Sequence, residues 1–208
     1  MQRSRNGGIA ERRRGVAGGP RQSDHDGMAR SRDADVTGDG AVDVIVETPA
    51  GSHNKLKFDP GHGAFRLSRV LPAGMAFPFD FGFLPGTVAE DGDPLDVLLL
   101  LDAPVPTGCL VEARLIGVIE AEQREKDGAV VRNDRLIGVA VESTTRHRLR
   151  DVADLDPALL GEIEAFFVQY NRLEGKEFHV LHRRGPGAAA KLARRGGRGA
   201  PERDGRPA

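Results

Sequence analysis

Asp91-Gly92-Asp93-Pro94-Leu95-Asp96-Val97 runs without a break into Leu98-Leu99-Leu100-Leu101. Three carboxylates fall within six residues, and an apolar run of strand length follows at once. Val97–Leu101 is short and continuous, as in a buried strand. A strand start is a rigid mount, and the loop ahead of it can bend acids towards one point. Gly92 permits a tight bend there, and Pro94 stiffens it.

Outward from this segment, short strand patterns recur. Ala41–Glu47 alternates well enough for a strand. Leu56–Phe58 and Phe65–Leu67 form a pair around the turn Asp59-Pro60-Gly61-His62-Gly63. Leu110–Ala121 is long and β-rich, Ala129–Val131 and Leu136–Glu142 make another pair, and Glu177–His182 is a late strand. One helix stands out. Asp156 is a good N-cap and Pro157 suits the first helical position. Leu159, Leu160, Ile163, Phe166, Phe167, Tyr170 and Leu173 follow at helical spacing, and Gly175 is placed to stop the helix. Short strands, Gly/Pro turns and one amphipathic helix predict a mainly β domain with flanking helices, an α+β build around a small barrel.

The ends differ from this middle. Residues 1–40 are rich in Arg, Gly, Asp and Ser, and such a segment buries too little apolar surface to offset its chain entropy. It is read as a disordered arm, with a basic arm touching nucleic acid as the functional alternative. Met28 offers a second start of translation inside it. After Arg183, Gly-Pro-Gly-Ala-Ala-Ala-Lys-Leu-Ala predicts a short helix, and residues 193–208 read as a disordered basic tail. The domain is therefore placed at 41–192.

The 208 residues carry 30 Lys+Arg against 31 Asp+Glu, a balance that gives no reason to expect non-specific nucleic-acid binding by the whole chain. Cys109 is the only cysteine, which excludes an internal disulfide and agrees with a reducing compartment. No stretch approaches the roughly 20 apolar residues that span a bilayer. The Arg-containing start lacks the apolar region of a secretory signal, so a cytoplasmic location is expected.

Hard divalent cations such as Mg²⁺ prefer oxygen ligands, and the acids of Asp91-Gly92-Asp93-Pro94-Leu95-Asp96 supply them. A solvated acidic turn would account for a generic Asp-x-Asp equally well. A calcium-binding EF-hand does not fit, because its glycine and late glutamate are not at their positions.

The full string resembles the signature of the family I inorganic pyrophosphatases, residue for residue, and the resemblance extends over roughly 41–192. Glu47 matches the family's active-site glutamate, Lys55 a phosphate-binding lysine, and Arg69, ahead of Met75-Ala76-Phe77-Pro78, a phosphate-binding arginine. Phe79-Asp80-Phe81-Gly82-Phe83 is similar to the family's aromatic segment, and Phe166–Tyr170 to the helix that delivers a phosphate-contacting tyrosine. The resemblance implies a five-stranded, OB-like closed barrel, a homo-oligomer, and a hydrolase that splits pyrophosphate with Mg²⁺. It implies Asp91, Asp93 and Asp96 at the metal, Asp93 and Glu47 in catalysis, and Lys55, Arg69 and Tyr170 on the substrate. No nucleophilic Ser or Cys is required, and Cys109 is taken as structural.

The chain departs from the family's pattern on one side. The family's glutamate two residues after the lysine is Lys57, and two tyrosines become Phe77 and Phe81. Its acidic pair falls on Gln123 and Arg124, and its later Asp-x-Lys on Asn133-Asp134-Arg135, so that Asn133 stands for a metal-binding aspartate unless Asp134 shifts by one place to replace it. The lysine after Tyr170 is Asn171. Fewer or weaker metals are expected at that end, with Arg124 as an added cation and Glu125 or Asp127 as acids that could fold back. Two other classes stay open at this level. One is a relative that acts on another phosphoanhydride or binds phosphates with little turnover; the other is an OB-like nucleic-acid-binding module. Against the latter, the chain has no Trp and one Tyr to serve as stacking platforms.

Overall fold

The computed structural model describes residues 41–199. The expected N-terminal arm, and the tail beyond 199, lie outside the described residues. Nine strands and two helices follow in order: β1 Ala41–Thr48, β2 Asn54–Asp59, β3 Ala64–Val70, β4 Asp80–Phe83, β5 Asp96–Leu100, β6 Leu110–Arg124, β7 Val130–Arg132, β8 Arg135–Ala140, α1 Pro157–Leu173, β9 Glu177–Arg184 and α2 Pro186–Gly199.

Five of the strands close a hydrogen-bonded ring. β1 pairs β4, β4 pairs β5, β5 pairs β8, β8 pairs β6, and β6 returns to β1. Only the β5–β8 pairing in this circuit is parallel. The long β6 also carries β7 and β9, while β2 and β3 form a separate hairpin. This mainly β ring with two helices is the architecture expected from the sequence.

The run Val97–Leu100 explains where the core sits. All four residues are fully buried. Leu98 and Leu100 join a cluster with Phe77, Phe81, Ile163 and Phe167, on the α1 side. Val97 and Leu99 join Val44, Leu115, Ala189 and Ala193, on the α2 side. Successive strand residues point to opposite faces, so a run without polar interruption means that both faces are covered.

α1 begins as its sequence requires: the Asp156 carboxylate accepts from the Ala158 amide at 2.8 Å, and Pro157 opens the first turn. One element was not foreseen, and one foreseen helix is longer than expected. β4 is four residues long and buried at every one, so it shows no alternation to read. α2 continues to Gly199, which corrects the disordered tail expected from 193 onward. Its buried Ala189 and Ala193, and Gly196 pressed against Leu95, make a packing face of small residues. Among the described residues, no helix is long and apolar enough to cross a membrane.

Gly82 sits opposite Val46 at the β1–β4 contact. A Cβ there would lie 2.1 Å from the Ile45 carbonyl oxygen and 3.1 Å from the Val46 Cα. Gly82→Ala is therefore expected to cost about 3 kcal/mol, the upper part of the overpacking range. Urea unfolding would show this as a lower midpoint at unchanged slope, and an unchanged midpoint would contradict it.

Candidate active site

The acidic loop is held in shape by its own backbone. The Asp91 carboxylate accepts from the Asp93 amide at 3.1 Å, and the Ala89 amide donates to the Asp93 carbonyl at 2.7 Å. Gly92 has φ 85, a conformation that a side chain would strain. The buried Thr87 hydroxyl accepts from the Leu95 amide at 2.9 Å and donates to the Leu84 carbonyl at 2.7 Å. These bonds deliver Asp96 to the first position of β5.

β1 and β2 bring the next groups. The buried Glu47 carboxylate accepts from the Phe58 amide at 2.7 Å, and the Thr48 hydroxyl accepts from the Leu56 amide at 3.0 Å. β2 carries Lys55 and Lys57, and Arg69 of β3 is the register partner of Lys55. The Lys57 ammonium pairs with Asp93 at 2.7 Å. The Lys55 ammonium lies 4.9 Å from the centre of the Tyr170 ring. Arg69 meets the C-terminal end of α1, with Glu174 at 3.3 Å and the Leu173 carbonyl at 3.4 Å, where a cation suits the helix dipole.

Arg135 anchors the far side. Its side chain is 6% exposed and pairs with Asp96 at 2.5 Å. Its guanidinium faces the rings of Phe81, Phe167 and Phe178 at 5.9, 5.3 and 5.6 Å, and it also donates to Asn133. Asn133 in turn donates to Gln123 at 2.7 Å, Gln123 donates to Glu125, and Lys176 pairs with Glu125 at 3.0 Å. A chain of ion pairs and hydrogen bonds therefore links Asp96 through Arg135, Asn133, Gln123 and Glu125 to Lys176.

The charges perturb one another. Burial pushes the Glu47 carboxyl up from its ordinary 4.5 to about 7; the Phe58 amide opposes this and the charge of Asp96 adds to it. Asp91 is likewise raised, first by burial and then by Asp93 and Asp96. Burial lowers Lys55, with Asp96 and Glu174 pulling the other way. Tyr170 is held firmly in its neutral form, first by burial and then by Glu174.

Glu47, Lys55, Asp91, Asp93 and Asp96 thus interact within one cluster, and Tyr170 and Arg69 adjoin it through Lys55 and Glu174. Three expectations change. Arg124 does not face the cluster: it is half exposed and pairs with Glu177 of β9 at 3.3 Å, while its neighbour Gln123 points inward. Asp134 does not replace Asn133: it accepts from the Ala121 amide and pairs with Arg132. Of the two hairpin acids, Glu125 joins the network, whereas Asp127 caps its own turn through the Ala129 amide. Lys57 and Arg135 are the partners of the acidic loop that the sequence hid, since both stood in it only as departures from a pattern. Two clefts of about 250 and 410 Å³ lie beside α2 and share none of the cluster's residues.

Asp91, Asp93 and Asp96 do not close on one point, because Asp93 is turned to Lys57 and Asp96 to Arg135. Among the described residues, no three His, Cys, Asp or Glu side chains stand ready as a metal-binding group. The donor chemistry nonetheless fits a hard cation. Three carboxylates share the loop, and the exposed Asp91 sits among like charges that a cation would relieve. Such a cation must compete with Lys57 and Arg135.

The same ring and helices occur in solved structures of inorganic pyrophosphatases. One from Thermus thermophilus superposes with a TM-score of 0.73 at 35% identity, covering 80% of this chain and 94% of that one. One from Neisseria gonorrhoeae gives 0.72 at 32% identity, with 80% and 94% covered. By sequence, the inorganic pyrophosphatase of Geobacillus stearothermophilus is 40% identical over 151 residues, which is 73% of this chain and 88% of the relative. The family model described as Inorganic pyrophosphatase matches residues 44–197. The chain belongs to the inorganic pyrophosphatase family, a class of metal-dependent enzymes.

Proposed function

We propose that this chain hydrolyses inorganic pyrophosphate to two phosphates, with Mg²⁺ as its cofactor. The supporting observation is the cluster of Glu47, Lys55, Asp91, Asp93 and Asp96 in a chain matched to the family from 44 to 197.

Splitting this bond needs little covalent chemistry from the protein; it needs position and charge. A water oxygen attacks one phosphorus, the bridging oxygen leaves with the other phosphate, and the water's proton passes to a base. Asp91, Asp93 and Asp96 would hold Mg²⁺, which when bound supplies charge for the phosphates and acidifies a water. Asp93 accepts the proton of the attacking water. Lys55 and Arg69 hold phosphate oxygens, and Tyr170, kept neutral, keeps its hydroxyl proton beside them. Glu47 orients the attacking water from behind the metal ligands.

Phosphate release from pyrophosphate across a Mg²⁺ series tests this. Turnover that rises with Mg²⁺, and falls about a hundredfold or more in Lys55→Met, is expected. Turnover of another phosphoanhydride such as inorganic triphosphate in preference to pyrophosphate would assign a different substrate. No release from either would overturn the proposal.

A further inference from the structure

Two of the three loop acids already have counter-ions from the protein. The Lys57 ammonium is 2.7 Å from Asp93, and the Arg135 guanidinium is 2.5 Å from Asp96. Arg135 cannot easily leave, because three aromatic rings and Asn133 hold it. Behind it, Gln123 and Asn133 are amides bonded to each other, so they offer no anionic ligand. Glu125, the nearest acid in the hairpin, is occupied by Gln123 and Lys176. With Lys55 interacting with Asp96, three cations face the loop.

We propose that Lys57 and Arg135 are fixed counter-ions of the acidic loop, which lower its affinity for a divalent cation and let the site bind a phosphoanhydride without one. This rests on the reading of the cluster as a phosphoanhydride site. Mg²⁺ gives up its own water reluctantly and needs anionic ligands in return, and here those anions are already satisfied. Arg and Lys bind phosphate oxygens through charge-assisted hydrogen bonds and lose little by exchanging a carboxylate for a phosphate. Positive charge that a metal would otherwise bring is thus built into β2 and β8.

Two binding titrations on the full chain test this, neither of them an activity assay. In the first, Mn²⁺ alone is titrated and the free ion is read by its paramagnetic resonance signal. Lys57→Glu is expected to bind Mn²⁺ about tenfold more tightly than the parent, because it removes the competitor and adds a ligand, with Lys57→Met in between. In the second, methylenediphosphonate is titrated calorimetrically in EDTA and then in Mg²⁺. The parent is expected to bind in EDTA, with less than about a tenfold gain from Mg²⁺, and Lys57→Glu to lose that metal-free binding. Lys57 is about half exposed, so both variants should fold, which circular dichroism checks. Equal Mn²⁺ affinity in all three proteins, or a parent that binds the diphosphonate only with Mg²⁺, would overturn the proposal. Metal-free diphosphonate binding without any pyrophosphate turnover would leave it standing and sink the hydrolase reading instead. Turnover with strictly Mg²⁺-dependent diphosphonate binding would do the reverse.

Discussion

Asp96→Asn is expected to lower pyrophosphate turnover about a hundredfold or more and to destabilise the fold by about 3 kcal/mol. The two losses have different causes. Turnover falls because a loop carboxylate is gone. Stability falls because Arg135, with a side chain 6% exposed, loses the partner of its charge and keeps only uncharged contacts with Asn133, the Asp134 carbonyl and three ring faces. Removing one member of a buried pair costs more than the pair itself contributes. The double variant Asp96→Asn with Arg135→Met separates them. It should recover most of the stability, because no uncompensated charge remains, and none of the turnover. Urea midpoints and phosphate release on the parent, each single variant (Asp96→Asn and Arg135→Met) and the double variant decide this. A single variant as stable as the parent would show that the pair does not hold Arg135 in place.

Glu47→Gln is expected to act in a pH-dependent way. Burial raises the folded carboxyl from its ordinary 4.5 to about 7, so the native state keeps a proton that the unfolded chain releases between those values. Stability is therefore lost as pH rises through that window and stays reduced above about 7. The distance between the two values corresponds to about 3 kcal/mol as an upper figure. Gln keeps an acceptor for the Phe58 amide but carries no charge. The variant should be more stable than the parent at pH 8 by about 2 kcal/mol and nearly equal to it below pH 4.5, in EDTA throughout. Its turnover should fall. A parent whose stability relative to the variant does not change between pH 4.5 and pH 8 would contradict the burial of this charge.

The site was only partly legible beforehand, and the limits have physical reasons. The acidic loop and the strand after it could be read because Gly92, Pro94 and a continuous apolar run leave few alternatives. Glu47, Lys55 and Arg69 were reachable only through resemblance, since one cation on a short strand looks like any other. Arg124 was misplaced although a signal was present. On a strand, neighbours point to opposite faces, so Gln123 and Arg124 could not both face the cluster. Asn133 and Asp134 lie between β7 and β8, where no strand alternation told which of them would point in. Lys57 and Arg135 stayed hidden because their two ion pairs, from β2 to the acidic loop and from β8 to the start of β5, join residues far apart in sequence, and nothing local marks them. β4 was missed because all four of its residues are buried, and the end of α2 because small residues that pack closely, such as Ala193 and Gly196, resemble those of a solvated tail.

The central claim is that this cluster splits pyrophosphate, and a phosphorus NMR time course watches that bond directly. Pyrophosphate and Mg²⁺ are incubated with the parent protein and, separately, with Asp93→Asn. The account predicts that the pyrophosphate resonance of the parent sample decays while inorganic phosphate grows in at two per pyrophosphate lost, and that the Asp93→Asn sample stays almost unchanged. A pyrophosphate resonance that persists at stoichiometric parent protein, or decays equally fast with Asp93→Asn, would contradict it.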